Sequence, residues 1–293
     1  MTVAVGYLAG KAGRSALYLG AEAANTLKTS LAVVTVVPKP WTTPSPARID
    51  AEYAAWADQL AADSHREAQA SLRQIAEGLD VSFHKVASRT PGEGLLQAAK
   101  DLSADVLVAG SSSDGSLGQV VLGSTTDWLL HSSPIPVAIS PRGYRGSKAG
   151  KLVRVTCACS GTPESVRVVE RVRALAERLD VKMRVVSYAI RGRTMFPPEV
   201  GLHAEDSLLA EWAKQLREML AKLKADGVVG DDVELVVVTG NGWDEALDDT
   251  EWEDGELLAL GTSSRRTIKG VFLGSHGAKI IRYSPVPVLV LPS

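Results

Sequence analysis

The chain has 293 residues, of which 45% are hydrophobic and 23% are charged, and its formal net charge at pH 7 is −2. This balance is typical of soluble globular proteins, and the near-neutral charge argues against electrostatic binding to nucleic acid or anionic lipid. No run reaches the roughly 18–20 apolar residues of a spanning helix, and the first residues lack the basic start of a signal peptide. We therefore expect a cytoplasmic protein that binds neither nucleic acid nor membrane.

The first half of the chain predicts alternating strands and helices. Strands are expected at residues 3–7, 31–37, 81–87, 106–109 and 136–139, and helices at 14–27, 49–78, 94–102 and 124–131. The strands are apolar on both faces and are separated by helices, as in a parallel sheet that is covered on both sides.

The second half repeats this order, with strands expected at 153–159, 183–188, 234–239, 257–260 and 286–291 and helices at 163–179, 206–225, 245–249 and 275–282. A constant offset of 151 residues relates Gly110 to Gly261, Gly123 to Gly274 and the segment Ser-Pro-Ile-Pro-Val at 133–137 to Ser-Pro-Val-Pro-Val at 284–288. The sequence therefore predicts two tandem α/β domains with open parallel sheets, at 1–142 and 151–293. The Gly-rich, basic segment 143–150 has the composition of a flexible linker.

Two equivalent loops, 110–124 and 261–275, contain the candidate ligand-binding residues. Each begins where a parallel strand ends, which is where ligands bind in open α/β sheets, and each ends at a helix N-terminus, which attracts anions. Glycine permits close approach to a ligand, and hydroxyl groups add hydrogen-bond donors. The candidate phosphate-binding residues are Gly110, Ser111, Ser112, Ser113, Gly123, Ser124, Thr125, Gly261, Thr262, Ser264, Arg265, Gly274 and Ser275. The alternative is a structural turn, with Ser124 capping the next helix through the capping-box sequence at 124–127.

These loops resemble the universal stress protein family, whose members carry Gly-x2-Gly-x9-Gly-Ser/Thr before the last helix and a Pro-rich last strand. The resemblance covers nearly all of the chain in a tandem two-domain form. It implies a nucleotide-binding fold of the adenine nucleotide α-hydrolase type, with ATP or a related adenine nucleotide as ligand and Mg²⁺ only together with ATP. It also implies that the last strands of the two domains pair within the chain, and a homodimer is a further option.

The sequence departs from the family pattern at two places. The second glycine of the motif is Ser113 in the first half and Ser264 in the second. The aspartate that ATP-binding members carry at the end of the first strand is replaced by Leu8 and by Cys159 or Ser160. Three functions stay open: a non-catalytic stress-response protein that senses or holds an adenine nucleotide, a nucleotide-independent interaction scaffold, and a slow ATP hydrolase. No catalytic motif and no metal-ligand spacing is visible.

Four further features of the sequence lead to predictions about charge, solvation and packing. Arg265, Arg266 and Lys269 favour tighter phosphate binding in the second half, unless they are only solvated charges, whereas the first loop carries Asp114. The eight acids of segment 244–256 predict a solvated, mobile loop, or alternatively a docking or cation-collecting surface. Cys157 and Cys159 are interpreted as core residues, with a redox role as the alternative. Trp56 and Trp212 are expected to pack at a helix–sheet or domain interface.

Overall fold

The computed structural model describes residues 2–10, 13–39, 47–112, 117–191, 202–262 and 275–292. The first half contains β1 (Thr2–Gly6), α1 (Arg14–Leu27), β2 (Ser30–Pro38), α2 (Ala47–Leu72), β3 (Val81–Ser88), α3 (Pro91–Asp101), β4 (Val106–Gly110), α4 (Ser124–Ser132) and β5 (Val137–Ser140). The second half contains β6 (Arg154–Ala158), α5 (Pro163–Leu179), β7 (Lys182–Ile190), α6 (Leu202–Ala225), β8 (Glu234–Gly240), α7 (Trp243–Asp248), β9 (Glu256–Gly261), α8 (Ser275–Tyr283) and β10 (Val288–Leu291).

The strands of the described residues form one continuous sheet in the order β3-β2-β1-β4-β5-β10-β9-β6-β7-β8. Within each half, all the strand pairs are parallel. The expected α/β class with parallel sheets and helices on both faces is confirmed, and the two halves have the same internal strand order.

The halves meet at β5 and β10, which pair antiparallel with Leu289 opposite Ala138. We call this junction the seam. Each of these strands follows a Pro-x-Pro segment and begins one or two residues later than its apolar pattern predicted, at Val137 and Val288. Proline has no N–H to donate to the strand ladder, so regular pairing starts only after it.

Side-chain alternation along the strands feeds two separate cores. Val3 and Val5 of β1 belong to one core, which also contains side chains of α1, α2, α5 and α6. Ala4, which lies between them in the sequence, belongs to the other, whose helices are α3, α4, α7 and α8. This is the period of two that a strand covered on both faces requires. Within the described part of the chain, no helix is both long and apolar enough to cross a bilayer.

The segment between the halves is held in place by hydrogen bonds, although its composition predicted flexibility. The Tyr144 hydroxyl and the Ser147 backbone N–H both donate to the carboxylate of Glu22, which is buried on α1. The Lys148 N–H donates to Asp254 at 2.9 Å. The segment therefore connects α1 of the first half to the acidic segment of the second half.

The acidic segment 244–256 is solvated, as predicted, since seven of its eight acids are exposed. The prediction that it is a loop throughout was wrong. Its first part is helix α7, in which Ala246 and Leu247 are fully buried, and its last residue, Glu256, begins β9 at 1% exposure. The composition did not reveal the burial of Glu256, because the cations that pair with it, Arg154 and Arg184, come from other strands.

A buried ionic cluster, formed by Glu256, Arg154, Arg184 and Thr156, fixes the start of β9. Nη2 of Arg154 and Nη2 of Arg184 donate to the two oxygens of Glu256 at 2.7 Å and 2.8 Å, and the Thr156 hydroxyl also donates to this carboxylate. Arg184 additionally lies over the ring of Trp252 at 5.4 Å. Burial lowers the pKa of Arg154, but the hydrogen bond to Glu256 and the carboxylates of Glu256, Glu253 and Glu234 together outweigh this effect, so the pKa of Arg154 lies above its usual value.

The prediction for the two cysteines is confirmed, whereas the prediction for two of the tryptophans is not. Cys157 and Cys159 are buried and free, which confirms their interpretation as core residues. Burial raises the pKa of the Cys157 thiol, so it stays protonated. Trp56 and Trp212 are 50% and 42% exposed on α2 and α6, so the prediction that they pack at an interface was wrong.

Glu256→Gln tests the ionic cluster. Removing one partner of a buried charge pair leaves the other uncompensated, so we expect the free energy of unfolding to fall by about 3 kcal/mol. Urea denaturation followed by circular dichroism measures this change. Glu170→Gln, on the exposed face of α5, is the matched control and should change it by less than about 0.5 kcal/mol. Equal stability of the two variants would contradict the assigned role of the cluster.

Candidate functional site

The strand order places a candidate ligand crevice in each half. In the first half the chain adds β2 and β3 on one side of β1 and then crosses to add β4 and β5 on the other side. In open α/β sheets, ligands bind outside the carboxyl ends of the strands at this switch point. The crevice therefore lies beyond the ends of β1 and β4 in the first half, and beyond those of β6 and β9 in the second.

The first predicted loop leaves β4 at Gly110 and is anchored by Ser111. The Ser111 N–H donates to the Ser140 carbonyl at the end of β5, and the Val121 N–H donates to the buried Ser111 hydroxyl at 2.8 Å. The Ser112 N–H donates to the Val121 carbonyl at 2.7 Å. Ser111 and Ser112 thus hold the two arms of the loop together. Ser113 lies outside the described residues.

The N-terminus of α4 has no side-chain cap. The N-cap residue is Gly123, with φ −77° and ψ 164°, and Ser124 is already inside the helix. The capping-box alternative, with Ser124 as the cap, was therefore wrong. Ser124 is exposed and Thr125 is half-buried. The unpaired N–H groups and the positive end of the helix dipole are available to an anion at this point.

Gly123 has space around it among the described residues. A Cβ placed on Gly123 would meet the Cβ of Ser112 at 3.7 Å, with no closer neighbour in the described part of the chain, and the negative φ is accessible to any residue. Neither packing nor backbone conformation therefore requires glycine here. By contrast, a Cβ on Gly94 would lie 2.6 Å from Val36. The open space at Gly123 permits close approach of a ligand to the backbone.

The side chain of Glu67, on α2, lies next to the end of β1. Glu67 accepts a hydrogen bond of 2.8 Å from the hydroxyl of Tyr7, the residue that follows β1. Burial, followed by the Glu67 carboxylate, raises the pKa of Tyr7 to about 12, so its hydroxyl stays protonated and donates at neutral pH. Sequence reasoning missed Glu67 because it looked for an acid only on the strand itself, where Leu8 stands.

The second crevice repeats part of this architecture. Thr262 donates from its N–H to the Leu291 carbonyl at 3.1 Å, as Ser111 does to Ser140 in the first half. Gly261 packs so closely against Val168 of α5 that a Cβ would collide with it, so this glycine is explained by packing alone. Ser264, Arg265 and Gly274 lie outside the described residues, and Ser275 begins α8.

The helices that follow the first strand of each half begin differently. Helix α5 has Pro163 at its first position and is capped by Thr162, whose hydroxyl accepts from the Ser165 N–H at 3.3 Å. Helix α1 begins after Gly13 without a side-chain cap, and its first residue is Arg14. The first half therefore brings a cation and an uncapped helix start to its crevice from outside the predicted loop.

Comparison with known families agrees with this fold. The family model described as "Universal stress protein family" matches residues 1–141 and 153–292, so the chain belongs to that family in a tandem form. The chain is 58% identical over 292 residues to universal stress protein Rv2319c of Mycobacterium tuberculosis H37Rv and to Mb2346c of Mycobacterium bovis, with 100% of each chain covered. Family membership supports a role in the stress response.

Solved structures support the tandem fold. A universal stress protein from Archaeoglobus fulgidus DSM 4304 has a TM-score of 0.61 at 16% identity, with 99% of this chain and 98% of that chain covered. A functionally unknown protein from Pseudomonas aeruginosa PAO1 has a TM-score of 0.57 at 14% identity, with coverage of 99% and 92%. At these identities the similarity establishes the fold.

Gly123→Ala should leave the fold intact, because the added methyl group meets no close neighbour among the described residues. We expect the free energy of unfolding to change by less than about 1 kcal/mol. Gly94→Ala, whose methyl group must displace Val36 and Ser88, should lower it by about 1–3 kcal/mol. Thermal unfolding of both variants measures the difference. A large loss of stability in Gly123→Ala would mean that this glycine serves folding.

Proposed function

We propose that the protein is a non-catalytic sensor or regulator in the stress response and that its crevices bind an adenine nucleotide. The observation that carries this proposal is the uncapped start of α4 beside the open space at Gly123, at the switch point of the sheet. A phosphate group would satisfy the free N–H groups of the helix and gain from its dipole.

The residues of the first half fit such a ligand in part. The N–H groups of the α4 start, together with the hydroxyls of Ser124 and Thr125, would hold the phosphates, and Arg14 would add positive charge. Leu8 cannot accept a hydrogen bond from a nucleoside, so Glu67 is the carboxylate that this half offers near the end of β1. If ATP is the ligand, it would bring Mg²⁺, which prefers phosphate oxygens and a small number of carboxylates.

A nucleotide-independent scaffold is the second candidate, and the exposed tryptophans favour it. Trp56 and Trp212 lie on α2 and α6, the helices that connect the second and third strands of the two halves. Exposed tryptophans are enriched in protein interfaces. A scaffold would need no ligand in either crevice.

Identification of co-purified small molecules distinguishes the two candidates. The purified full chain is denatured, the released molecules are analysed by mass spectrometry, and the protein is then titrated calorimetrically with ATP and AMP, with and without Mg²⁺. The nucleotide proposal expects a released adenine nucleotide or a saturable binding heat. Absence of both would favour the scaffold.

Loop variants should separate the contributions of the two halves. Gly123→Ala places a methyl group where the ligand would approach, and Gly274→Ala is the equivalent change in the sequence of the second half. Each should weaken one site by about tenfold, or ~1.4 kcal/mol. Calorimetric titration of the single and double variants with ATP measures this effect. If neither variant changes the affinity, the nucleotide does not bind at these helix starts.

The basic loop of the second half should make it the tighter site. We expect Arg265→Ala to weaken ATP binding by about tenfold, since an arginine–phosphate contact is a charge-assisted hydrogen bond. Asp114→Ala, in the loop of the first half, should leave the tight site unchanged. If the affinity of the tighter ATP site changes only in the Asp114→Ala variant, that site lies in the first half and the assignment is wrong.

A further inference from the structure

We propose that a groove over the seam binds the chain of a long aliphatic carboxylate and that Arg171 and Arg178 of α5 hold its anionic head. The groove has a volume of about 440 Å³ and shares no residue with the two nucleotide crevices. The proposal therefore stands independently of the proposed nucleotide function.

The floor of the groove is apolar because four central strands direct side chains to the same face. β4 supplies Val106, β5 Ala138, β10 Leu289 and Leu291, and β9 Leu257. All five are at most 9% exposed. Ala138 and Leu289 are partners across the seam, so the floor exists only because the two halves pair.

Two helices form the walls and leave a gap between them. Helix α1 contributes Leu19, Ala23 and Leu27, spaced four residues apart on one stripe, and α5 contributes Ala174 and Leu175. A helix normally covers the face of such a sheet. At the seam the nearest helices belong to different halves, and the groove between them is open on one side although the residues of its floor are buried.

The charges are confined to one wall and its rim. Arg171 and Arg178 line the groove from α5, and both are exposed. Arg178 Nη2 contacts Asp105 at 3.1 Å, and Arg171 donates to the Pro292 carbonyl. With two arginines and one aspartate, the formal charge of the lining is positive, which complements a single anion.

The two halves differ at these positions. Helices α1 and α5 end at equivalent left-handed residues, Lys28 and Asp180. Counting back from these residues, Arg171 occupies the position of Leu19, and Arg178 that of Thr26. The groove is therefore apolar along α1 and basic along α5.

This polarity selects the occupant. A volume of about 440 Å³ lies within the ~300–1,000 Å³ range of small-molecule sites. The apolar floor favours an alkyl chain, for which affinity rises with each buried methylene group. The guanidinium groups favour a carboxylate as the head, which they can bind in a bidentate manner. A single-chain carboxylate satisfies both conditions.

Calorimetric titration of the full chain with sodium octanoate, sodium dodecanoate and 1-dodecanol, each below its micelle or solubility limit, tests the proposal. We expect one equivalent of dodecanoate to bind, about 200-fold more tightly than octanoate if all four additional methylene groups are buried. Dodecanol should bind more weakly than dodecanoate, because it lacks the charge that the arginines recognise.

Two variants and a control locate the site. Ala174→Trp fills the groove from α5 and should abolish dodecanoate binding, while unchanged thermal unfolding shows that the fold is intact. Arg171→Gln should weaken dodecanoate about tenfold and leave dodecanol unchanged. Arg167→Gln, on the same helix but outside the groove, should alter neither.

The proposal is overturned if dodecanoate binds no more tightly than octanoate, or if dodecanol binds as tightly as dodecanoate. It is also overturned if dodecanoate binding survives in a folded Ala174→Trp variant. If Ala174→Trp does not fold, the comparison between Arg171→Gln and Arg167→Gln decides: equal dodecanoate affinities exclude the groove. The nucleotide experiments use other residues, so either proposal can fail alone.

Discussion

Backbone pairing between β5 and β10 is the constraint on which the arrangement of the molecule depends. Without it, each half would end in an exposed strand edge, with unpaired N–H and C=O groups that invite aggregation. With it, ten strands form one sheet, and the helices of the two halves are placed in a fixed relation. The Arg178–Asp105 ion pair, the anchoring of the connecting segment on Glu22 and the apolar groove all depend on this junction.

The same pairing leaves both candidate crevices at switch points within the halves, away from the seam. Each crevice is defined by strands of a single half, so its geometry depends on local loops and helix starts. The first half offers an uncapped α4, an uncapped α1 and Glu67, whereas α5 in the second half is capped by Thr162. The described residues therefore favour separate binding properties for the two crevices.

The sequence was sufficient for the fold because hydrophobic periodicity and the internal repeat carry it. The bounds of α1 and α5 agree with the predicted ones, and both Gly10 and Gly161, which the repeat pairs, have positive φ. The ion-pair partners of residues that are distant in the chain could not be predicted from the sequence. The burial of Glu256 could not be predicted because its cations, Arg154 and Arg184, are distant in the chain.

At the candidate site, the loops could be located from the sequence, but the roles of their residues could not. Which residue caps α4 depends on the backbone conformation at Gly123, and the sequence Ser-Thr-Thr-Asp fits a capping box equally well. Glu67 was missed because only the folded chain brings α2 next to the end of β1. The exposure of Trp56 and Trp212 likewise depends on the orientation of long helices.

Covalent fusion of the two halves has an evolutionary consequence. In a symmetric homodimer, one substitution alters both subunits, so an arginine on one side of a shared surface is repeated on the other. In a fused pair each copy mutates alone. The Arg154–Glu256–Arg184 cluster shows the result: by strand register, its counterparts in the first half are Thr2, Asp105 and Ala32. Duplication supplied the fold twice, and fusion allowed one copy to acquire chemistry that the other does not share.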